Sequence, residues 1–405
     1  MAEGTRRLDR YRIQTFNHIA ESGVREFDAT NFEVGPTTSD PHAILCRSHR
    51  LAASDVPDTL LAIGRAGAGV NNIPVSHCSE RGIVVFNTPG ANANSVKELV
   101  AAALFLSCRD VVGAVQWVRG LSRALKPADL DLLVEAQKRQ FAGHELSGRT
   151  LGVVGLGAVG AVVARVALDL RMTVLGFDPE LAEETARRLS RRVQRVNSLA
   201  ALFARSDFIS LHIPLNRHTF ELIGDDLFSI CKPGMTLLNF ARAEIVEHAA
   251  VLRALDSNRV QRYFTDFPHP DFISRESVLA TPHLGASTME ATENCAVMAA
   301  RQLSAFLRKG TITNSVNFPA VSLEAKSGYR IAVANLNEPG MLGALLAVLA
   351  NRGINVNEMI NKSRENLAYN LLDLDVEPDA ALLAEIRKVK QVIGVRYVSS
   401  PLEGL

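Results

Sequence analysis

Short apolar runs alternate with stretches of helical periodicity over the first three quarters of the 405-residue chain. Three runs near the N-terminus, at residues 43–48, 60–67 and 82–90, each end in glycine or a small polar residue. Runs of this kind are typical of strands that are buried on both faces of a parallel sheet. A long helical pattern follows at 95–121, so this part of the chain is predicted to be α/β.

A second α/β series begins at residue 149 with a strand, a glycine turn, a helix and another strand. Three further strands and a closing helix are predicted at 206–214, 234–242, 260–267 and 289–310. A polar linker without periodicity is predicted at 309–328, and the order after it is strand, helix, strand, strand, helix, strand. That order is the ferredoxin-like plan. The pattern therefore predicts two parallel α/β units and a C-terminal ferredoxin-like unit.

Composition and charge favour a small-molecule ligand. The formal net charge is only +1, so no overall basic field would attract nucleic acid or an anionic membrane. The longest apolar runs, such as residues 99–106, are far too short to span a membrane, and the N-terminus lacks the apolar core of a signal peptide, so a cytoplasmic protein is expected. The five cysteines are scattered without any Cys-x-x-Cys pair, which predicts reduced thiols and no metal site.

The stretch Gly-Leu-Gly-Ala-Val-Gly at residues 155–160 predicts a dinucleotide-binding turn. Gly155 permits the tight turn, Gly157 lets the backbone approach a pyrophosphate, and Gly160 lets helix and strand pack closely. Asp178 stands at the end of the next predicted strand. Its carboxylate would accept hydrogen bonds from the ribose hydroxyls of NAD and would repel the 2′-phosphate of NADP, so NAD is the predicted cofactor.

Two residues farther along the chain are candidates for catalysis. Arg242 ends a predicted strand, and an arginine at the carboxyl edge of a parallel sheet can hold a substrate carboxylate by paired hydrogen bonds. His283 follows a predicted strand end, and a histidine can take the proton of a secondary alcohol as hydride leaves for nicotinamide. From the residues alone, a surface ion pair for Arg242 and a structural role for His283 remain open.

Several stretches, taken together, carry a family resemblance. They lie at residues 64–75, 87–98, 141–160, 211–215, 239–247 and 281–288, together with the segment around Asp178. In them the chain resembles the D-isomer-specific 2-hydroxyacid dehydrogenases, with similarity from about residue 11 to the end. The resemblance implies two interleaved Rossmann-like parallel-sheet domains, a substrate-binding one at 11–92 and 286–315 and an NAD-binding one at 93–285, followed by an ACT regulatory domain at 328–405. It also implies an active site between the first two domains and a homodimer or homotetramer.

The resemblance implies roles for individual residues. Arg242 would bind the substrate carboxylate and keto oxygen, His283 would act as general acid and base, and Asp266 would hold the nicotinamide carboxamide. The implied cofactor-binding set is Gly155, Gly157, Ala158, Val159, Gly160, Asp178, Ile213, Phe240, Ala241, Arg242, Asp266, His283, Gly285 and Ala286.

A second implied set concerns a phosphorylated substrate. Arg47 and Arg65 match basic positions that relatives use around such a substrate, Lys138 lies near another, and Ala68 replaces a threonine that is frequent in the family. Either arginine could instead brace a loop. The implied reaction is oxidation of 3-phospho-D-glycerate to 3-phosphooxypyruvate with NAD, the first step of L-serine biosynthesis.

Two other functions remain open at this stage. One is a dehydrogenase of another 2-hydroxy acid, such as glycerate, lactate, erythronate 4-phosphate or 2-hydroxyglutarate, and the other is a non-catalytic NAD-sensing protein. Residues 335–359 resemble an ACT domain, in which Asn337 and Asn355 match effector-binding positions and Asn335 replaces a histidine. An amino-acid sensor and a module that serves only dimerisation are both compatible with this tail.

The family's catalytic histidine normally pairs with a glutamate, and this chain departs from that pattern. From Asp266 the sequence reads Asp-Phe-Pro-His-Pro, so that His269 stands where the glutamate would be. A carboxylate partner fixes the tautomer and favours the protonated ring, so its loss should lower the working pH of His283. Asp271 or Glu276 could replace it, or His283 could be oriented by backbone or water, and Asp271 is the favoured candidate.

Overall fold

The computed structural model describes residues 10–181, 183–324 and 328–398. Residues 325–327 of the predicted linker and residues 399–405 of the predicted C-terminal domain lie outside this description. The chain divides into two compact units. One comprises the described residues up to Asn92 and those from Met289 onward, and the other spans Ala93–Thr288.

The first unit contains a parallel sheet, and three of its strands lie within the apolar runs at 43–48, 60–67 and 82–90. Numbered along the chain, its strands are β1 (Tyr11–Phe16), β2 (Phe32–Gly35), β3 (Ala43–Cys46), β4 (Ala62–Arg65) and β5 (Val84–Phe86). Over the described residues they lie in the order β2-β1-β3-β4-β5. Helices of this unit include α1 (Glu21–Val24), α2 (Val75–Glu80) and the eleventh helix, α11 (Met289–Lys309). Every residue of β3 and β5 is buried, as the apolar runs predict.

The second unit has a larger parallel sheet. Its strands are β6 (Thr150–Val154), β7 (Thr173–Phe177), β8 (Gln194–Arg195), β9 (Phe208–Leu211), β10 (Met235–Asn239), β11 (Val260–Thr265) and β12 (Val278–Ala280). In the described chain they lie in the order β12-β11-β10-β9-β6-β7-β8. The helices are α3 (Ala93–Cys108), α4 (Val111–Gly120), α5 (Pro127–Gln137), α6 (Ala158–Asp169), α7 (Glu183–Arg188), α8 (Leu199–Arg205), α9 (Asp225–Ile230) and α10 (His248–Asp256).

The single helix predicted at 95–121 is wrong, because the chain forms α3 and α4 there instead. Asp110 stands between them, and its Oδ1 accepts a hydrogen bond from the Gly113 amide at 3.0 Å. This side chain satisfies an amide that the first turn of a helix leaves without an internal partner. A new helix therefore begins at Val111 although the apolar pattern continues.

The C-terminal part forms an antiparallel sheet with the predicted order of elements. It comprises β13 (Tyr329–Leu336), α12 (Met341–Asn351), β14 (Val356–Arg364), β15 (Leu367–Leu374), α13 (Ala380–Lys388) and β16 (Val392–Val398). Within the described residues the strand order is β14-β15-β13-β16. The predicted fold class, two parallel α/β sheets with a small C-terminal ferredoxin-like sheet, is confirmed.

The segment predicted as a polar linker is packed against the first sheet. Ile312 and Phe318 are buried in a core that also holds residues of β1, β3, α11 and β15. The Asn317 side chain accepts from the Val85 amide at 2.9 Å and donates to the Ile83 carbonyl at 2.9 Å. Because Asn317 bonds these backbone groups of the β5 region, this polar residue is structural and the segment is ordered by burial.

A buried ion pair joins the C-terminal sheet to the rest of its unit. Arg330 on β13 donates two hydrogen bonds to the carboxylate of Asp373 on β15, at 2.6 and 2.8 Å, and both side chains are buried. The same guanidinium donates to the carbonyls of Lys309 and Leu323. Paired and charge-assisted hydrogen bonds offset the cost of removing both charges from water.

All five cysteines are free and buried. Burial raises the pKa of Cys46 and of Cys78 to about 11, which makes both thiols poor nucleophiles near neutral pH. In the part of the chain that the structure describes, no helix is both long and apolar enough to cross a membrane.

Candidate active site

The candidate residues of the second unit follow strands that end at one edge of its sheet. After β6 the chain adds β7 and β8 on one side, and it then returns to add β9, β10, β11 and β12 on the other. The reversal between β6 and β9 is a topological switch point, where open parallel sheets bind their ligands. The glycine turn follows β6, and Arg242 and Asp266 follow β10 and β11.

The glycine turn has the geometry that a dinucleotide requires. Gly155 has a φ of +88°, a conformation that other residues rarely adopt. A Cβ on Gly160 would lie 1.8 Å from the Gly155 carbonyl oxygen, whereas a Cβ on Gly157 would meet no atom within 4 Å. Helix α6 begins at Ala158, followed by Val159, and no side chain caps its first amides. Open space beside its first amides fits the pyrophosphate of NAD.

Asp178 lies beside this turn, directly after β7. Its Oδ2 accepts a hydrogen bond from the Leu156 amide at 2.8 Å, and its Oδ1 accepts from the Glu180 amide at 3.1 Å. The carboxylate therefore braces the turn, and each oxygen keeps a second lone pair for a ribose hydroxyl.

The residues that directly follow β9 also pack against the glycine turn. The His212 carbonyl and the Ile213 side chain are the atoms nearest to where a Cβ of Gly155 would stand. The His212 ring nitrogen Nε2 lies 2.8 Å from the buried Ser210 hydroxyl. Burial lowers the pKa of His212 to about 3, so its imidazole is neutral at physiological pH.

We expect the free energy of unfolding to fall as the pH is lowered from about 6.5 towards 4. Burial lowers the pKa of His42 to about 4 and that of His212 to about 3. Both values lie below the unfolded value near 6.5, so the unfolded chain binds more protons over this range. Each histidine should contribute a slope of at most about 1.4 kcal/mol per pH unit. Urea unfolding at pH 7.5, 6 and 5, followed by circular dichroism, measures this slope.

His42→Asn provides the matched control for that slope. The His42 Nδ1 accepts the Arg12 amide at 2.9 Å, and an asparagine oxygen can replace this acceptor without titrating. The variant should lose one histidine's share of the pH dependence. The explanation fails if the wild-type unfolding midpoints are the same at pH 7.5, 6 and 5.

Arg242 is held at the end of β10 by a buried asparagine. The Asn239 side chain donates to the Arg242 carbonyl at 2.8 Å and accepts from the Ala241 amide at 3.1 Å. The Arg242 guanidinium is half-buried and donates to the Ala241 carbonyl at 2.6 Å. Phe240 packs against Phe264 beneath this segment, with ring centroids 5.6 Å apart. The backbone that carries the arginine is thus fixed, while the other donors of its guanidinium have no partner among the residues that the structure describes.

His283 has an unusual backbone and an exposed ring. Its φ is +57°, in the left-handed region that residues other than glycine seldom occupy. Its amide donates to the Asp266 carbonyl at 3.0 Å, and its ring and that of Phe267 meet edge to face with centroids 5.2 Å apart. Among the residues described, no side chain forms a hydrogen bond or ion pair with its imidazole. A strained residue held by its surroundings is typical of functional sites.

Asp266 is the residue whose structural role the sequence missed. It is buried, and in the described chain its carboxylate accepts three hydrogen bonds of 2.7 Å, from the Thr281 hydroxyl and from the amides of Leu284 and Gly285. The Ser95 hydroxyl donates to the Gly285 carbonyl from the start of α3. Asp266 therefore fixes the loop that carries His283 and continues into Ala286.

The prediction that Asp271 orients His283 is not supported, because its carboxylate contacts other groups. Asp271 Oδ2 lies 2.9 Å from His248 Nε2 and 3.4 Å from His269 Nδ1. The hydrogen bond with His248 lowers the pKa of Asp271. No contact of Glu276 with His283 is present among the described residues either. In the part of the chain that the structure describes, no carboxylate therefore contacts the imidazole of His283.

The predicted substrate residues fall on both units. Arg47 directly follows β3, and Arg65 is the last residue of the neighbouring strand β4. The Nε of Arg65 donates to the Arg47 carbonyl at 3.0 Å. The guanidinium of Arg47 makes no hydrogen bond or ion pair with any described residue. Ala68 is exposed and accepts from the Asn87 amide group. Lys138 belongs to the second unit and pairs with Glu135.

The three predicted effector residues are not brought together in one chain. Asn335 is buried in β13, and its amide group bonds to Asn370 and to the Leu336 carbonyl, so it is not available to an effector. Asn337 and Asn355 are exposed at opposite ends of the sheet, separated by the eight residues of β15, or about 25 Å.

A family model described as "D-isomer specific 2-hydroxyacid dehydrogenase, NAD binding domain" matches residues 101–285. These residues include the glycine turn, Asp178 and the ends of β9 to β12. Curated relatives are also 32% identical to the chain over most of its length. The chain therefore belongs to the D-isomer-specific 2-hydroxyacid dehydrogenases, which are NAD-dependent oxidoreductases. The predicted cofactor, NAD, is confirmed.

The relatives are named D-3-phosphoglycerate dehydrogenase. The protein of Methanocaldococcus jannaschii is 32% identical over 382 residues, which are 92% of this chain and 68% of the relative. That of Escherichia coli K12 is 32% identical over 356 residues, or 84% of this chain and 82% of the relative. The NAD⁺-bound 3-phosphoglycerate dehydrogenase of Entamoeba histolytica has a similar structure, with a TM-score of 0.60, 26% identity and coverage of 76% of this chain and 99% of that one. The D-mandelate dehydrogenase of Rhodotorula graminis, at 23% identity and a TM-score of 0.65 over 78% of this chain and 100% of that one, shares the fold.

Proposed function

We propose that this chain oxidises 3-phospho-D-glycerate to 3-phosphooxypyruvate with NAD, as the first step of L-serine biosynthesis. The observation that supports it most is the convergence of the glycine turn, Asp178, Arg242 and the Asp266-held His283 loop at one edge of the sheet. The names of the relatives support the choice of a phosphorylated hydroxy acid.

Each residue then has a chemical task. Arg242 binds the substrate carboxylate with two parallel hydrogen bonds and polarises the neighbouring C2 oxygen. His283 takes the proton of the C2 hydroxyl in oxidation and returns it in reduction. Asp266 keeps the His283 loop in place through its bonds to Thr281, Leu284 and Gly285. Bound NAD supplies the acceptor for the hydride that leaves C2.

The reaction is tested directly by NADH fluorescence. Purified protein is mixed with NAD and either 3-phospho-D-glycerate, D-glycerate or D-lactate, with and without serine. Formation of NADH with the phosphorylated acid at a much higher kcat/KM than with the other two supports the proposal. A preference for an unphosphorylated acid indicates another dehydrogenase of the family, and tight NADH binding without turnover of any acid indicates an NAD-sensing protein.

We expect Arg47→Ala to lower kcat/KM for 3-phospho-D-glycerate by about 10- to 100-fold, the value of one charge-assisted hydrogen bond or slightly more. The reason is that the Arg47 guanidinium has no partner within the described chain and is available to a phosphate. The turnover of D-glycerate should change less than about threefold, since it lacks that group. Steady-state kinetics on both substrates measure the difference.

Arg50→Ala is the control for Arg47, because Arg50 is an exposed arginine on the same loop. It should change neither kinetic constant by more than about twofold. An equal loss with both substrates in Arg47→Ala would assign Arg47 to loop structure, and Arg65 and Lys138 would then be the remaining candidates for the phosphate.

We also propose that the C-terminal sheet is an ACT domain, on the basis of its strand order and its resemblance over residues 335–359. Because Asn337 and Asn355 lie at opposite ends of one sheet, an effector that contacts both would require two copies of the chain. A cytoplasmic homodimer or homotetramer is part of the same proposal. The serine arm of the NADH assay tests whether the tail senses an amino acid.

A further inference from the structure

Two imidazoles and a carboxylate converge on the surface of the second unit, where the start of α10 meets the loop in which the family pattern has changed. The three groups are His248, His269 and Asp271, and their nearest ligand atoms all lie within 4.8 Å of one another. His248 Nε2 is 2.9 Å and His269 Nδ1 is 3.4 Å from the same oxygen, Asp271 Oδ2. Ligands at 2.0–2.1 Å from a tetrahedral zinc ion are about 3.3 Å apart, so these separations are close to those of a metal site.

The positions of the two rings are fixed by packing. His248 is the first residue of α10, and Asp271 lies in the short 3-10 turn Pro270–Phe272 that follows His269. The ring of the buried Phe272 lies 5.1 Å from the His248 ring and 5.7 Å from the His269 ring. The ring centroids of the two imidazoles are themselves only 4.0 Å apart. A site whose side chains are held in this way needs little rearrangement to bind an ion.

Hydrogen bonding alone leaves this arrangement partly unexplained. The His269 Nδ1 accepts the Asp271 amide at 3.3 Å, which requires a lone pair on that nitrogen. With the lone pair there, Nδ1 and the carboxylate oxygen 3.4 Å away are both acceptors, and they repel each other. A cation between them would replace this repulsion by attraction. Within the described residues, the weak bond from the Asp271 amide is the only hydrogen bond of His269 that the cation would displace.

We propose that His248, His269 and Asp271 form a binding site for one divalent transition-metal ion, with Zn²⁺ as its best-suited occupant and water as a further ligand. Imidazole nitrogen and carboxylate oxygen are ligands that zinc accepts in sites with three protein ligands. His269 and Asp271 are exposed and His248 is half-buried, so the ion can enter from solution. The cysteines did not indicate this site, since all five are buried elsewhere.

Zinc titration of the full-length protein tests the site. The protein is treated with EDTA, exchanged into metal-free buffer and titrated with Zn²⁺ in a calorimeter, and Co²⁺ absorption in the visible range provides a second signal. Wild type should bind one ion per chain. His269→Ala and Asp271→Asn should each weaken binding by at least about tenfold, because the loss of a direct ligand costs no less than the loss of a group that supports one.

His218→Ala is the matched control, since His218 is exposed in the same unit and lies outside the cluster. It should bind Zn²⁺ like wild type. Thermal unfolding without metal shows which variants are folded. If His269→Ala is unfolded, the zinc affinity of Asp271→Asn tests the proposal instead, because this substitution keeps the shape of the side chain. The proposal is overturned if wild type shows no saturable binding at one ion per chain, or if the folded cluster variants bind Zn²⁺ as tightly as wild type.

Discussion

We expect His283→Asn to lower kcat for 3-phospho-D-glycerate oxidation by about 10²- to 10⁴-fold, the usual contribution of a general acid and base. An asparagine amide cannot take up and return a proton. The stability of the protein should change little, because asparagine tolerates the left-handed φ of +57° and the exposed ring makes few contacts. Steady-state kinetics and thermal unfolding of the same preparation measure both effects.

Two comparisons separate chemistry from backbone strain. His283→Ala removes the ring and also places a less tolerant residue at the positive φ, so it should be as inactive as His283→Asn and less stable. His218→Asn makes the same exchange at an exposed histidine outside the site and should keep wild-type kcat. If His283→Asn retained kcat within about threefold of wild type, His283 would not be the proton carrier.

The largest effect on stability is expected at the buried ion pair of the C-terminal sheet. Asp373→Ala should lower the free energy of unfolding by about 3–5 kcal/mol, because it leaves the Arg330 guanidinium buried beside an apolar side chain. The double variant Arg330→Met/Asp373→Leu should recover most of that loss, since it removes both charges and keeps apolar volume. Urea unfolding followed by circular dichroism gives the three free energies.

Glu377→Ala is the control for Asp373, because Glu377 is an exposed acid shortly after the same strand. Its replacement should cost less than about 0.5 kcal/mol. A double variant as unstable as Asp373→Ala would contradict the explanation, because the loss would then come from packing or from the Arg330 bonds to Lys309 and Leu323.

The sequence predicted those features that depend on local pattern. Strands buried on both faces are visible as apolar runs, and the glycine turn is visible because one backbone conformation requires glycine at fixed spacing. The break after α3 was missed because the apolar pattern continues through it. The signal was present in Asp110, which is a preferred residue at a helix start and lies three residues before the amide that it caps.

The contacts of individual carboxylates could not be predicted in the same way. Asp266 and Asp271 are only five residues apart, yet one is buried under the His283 loop and the other pairs with His248 on α10. Which of them reaches a given partner depends on the path of a short loop between two strands. The path of such a loop leaves no periodic trace in the sequence.

The packing of the C-terminal sheet restricts how this tail can be exchanged between relatives. Its Arg396 guanidinium lies over the ring of Phe306 on α11 and donates to the Phe306 and Leu307 carbonyls, and Tyr369 packs against Phe306 and Phe318. A chimera joined at the polar segment after α11 would pair a foreign sheet with this helix face. A chimera should therefore take α11 and residues 310–324 from the same protein as the C-terminal sheet. The two parent sequences should then be joined before Met289.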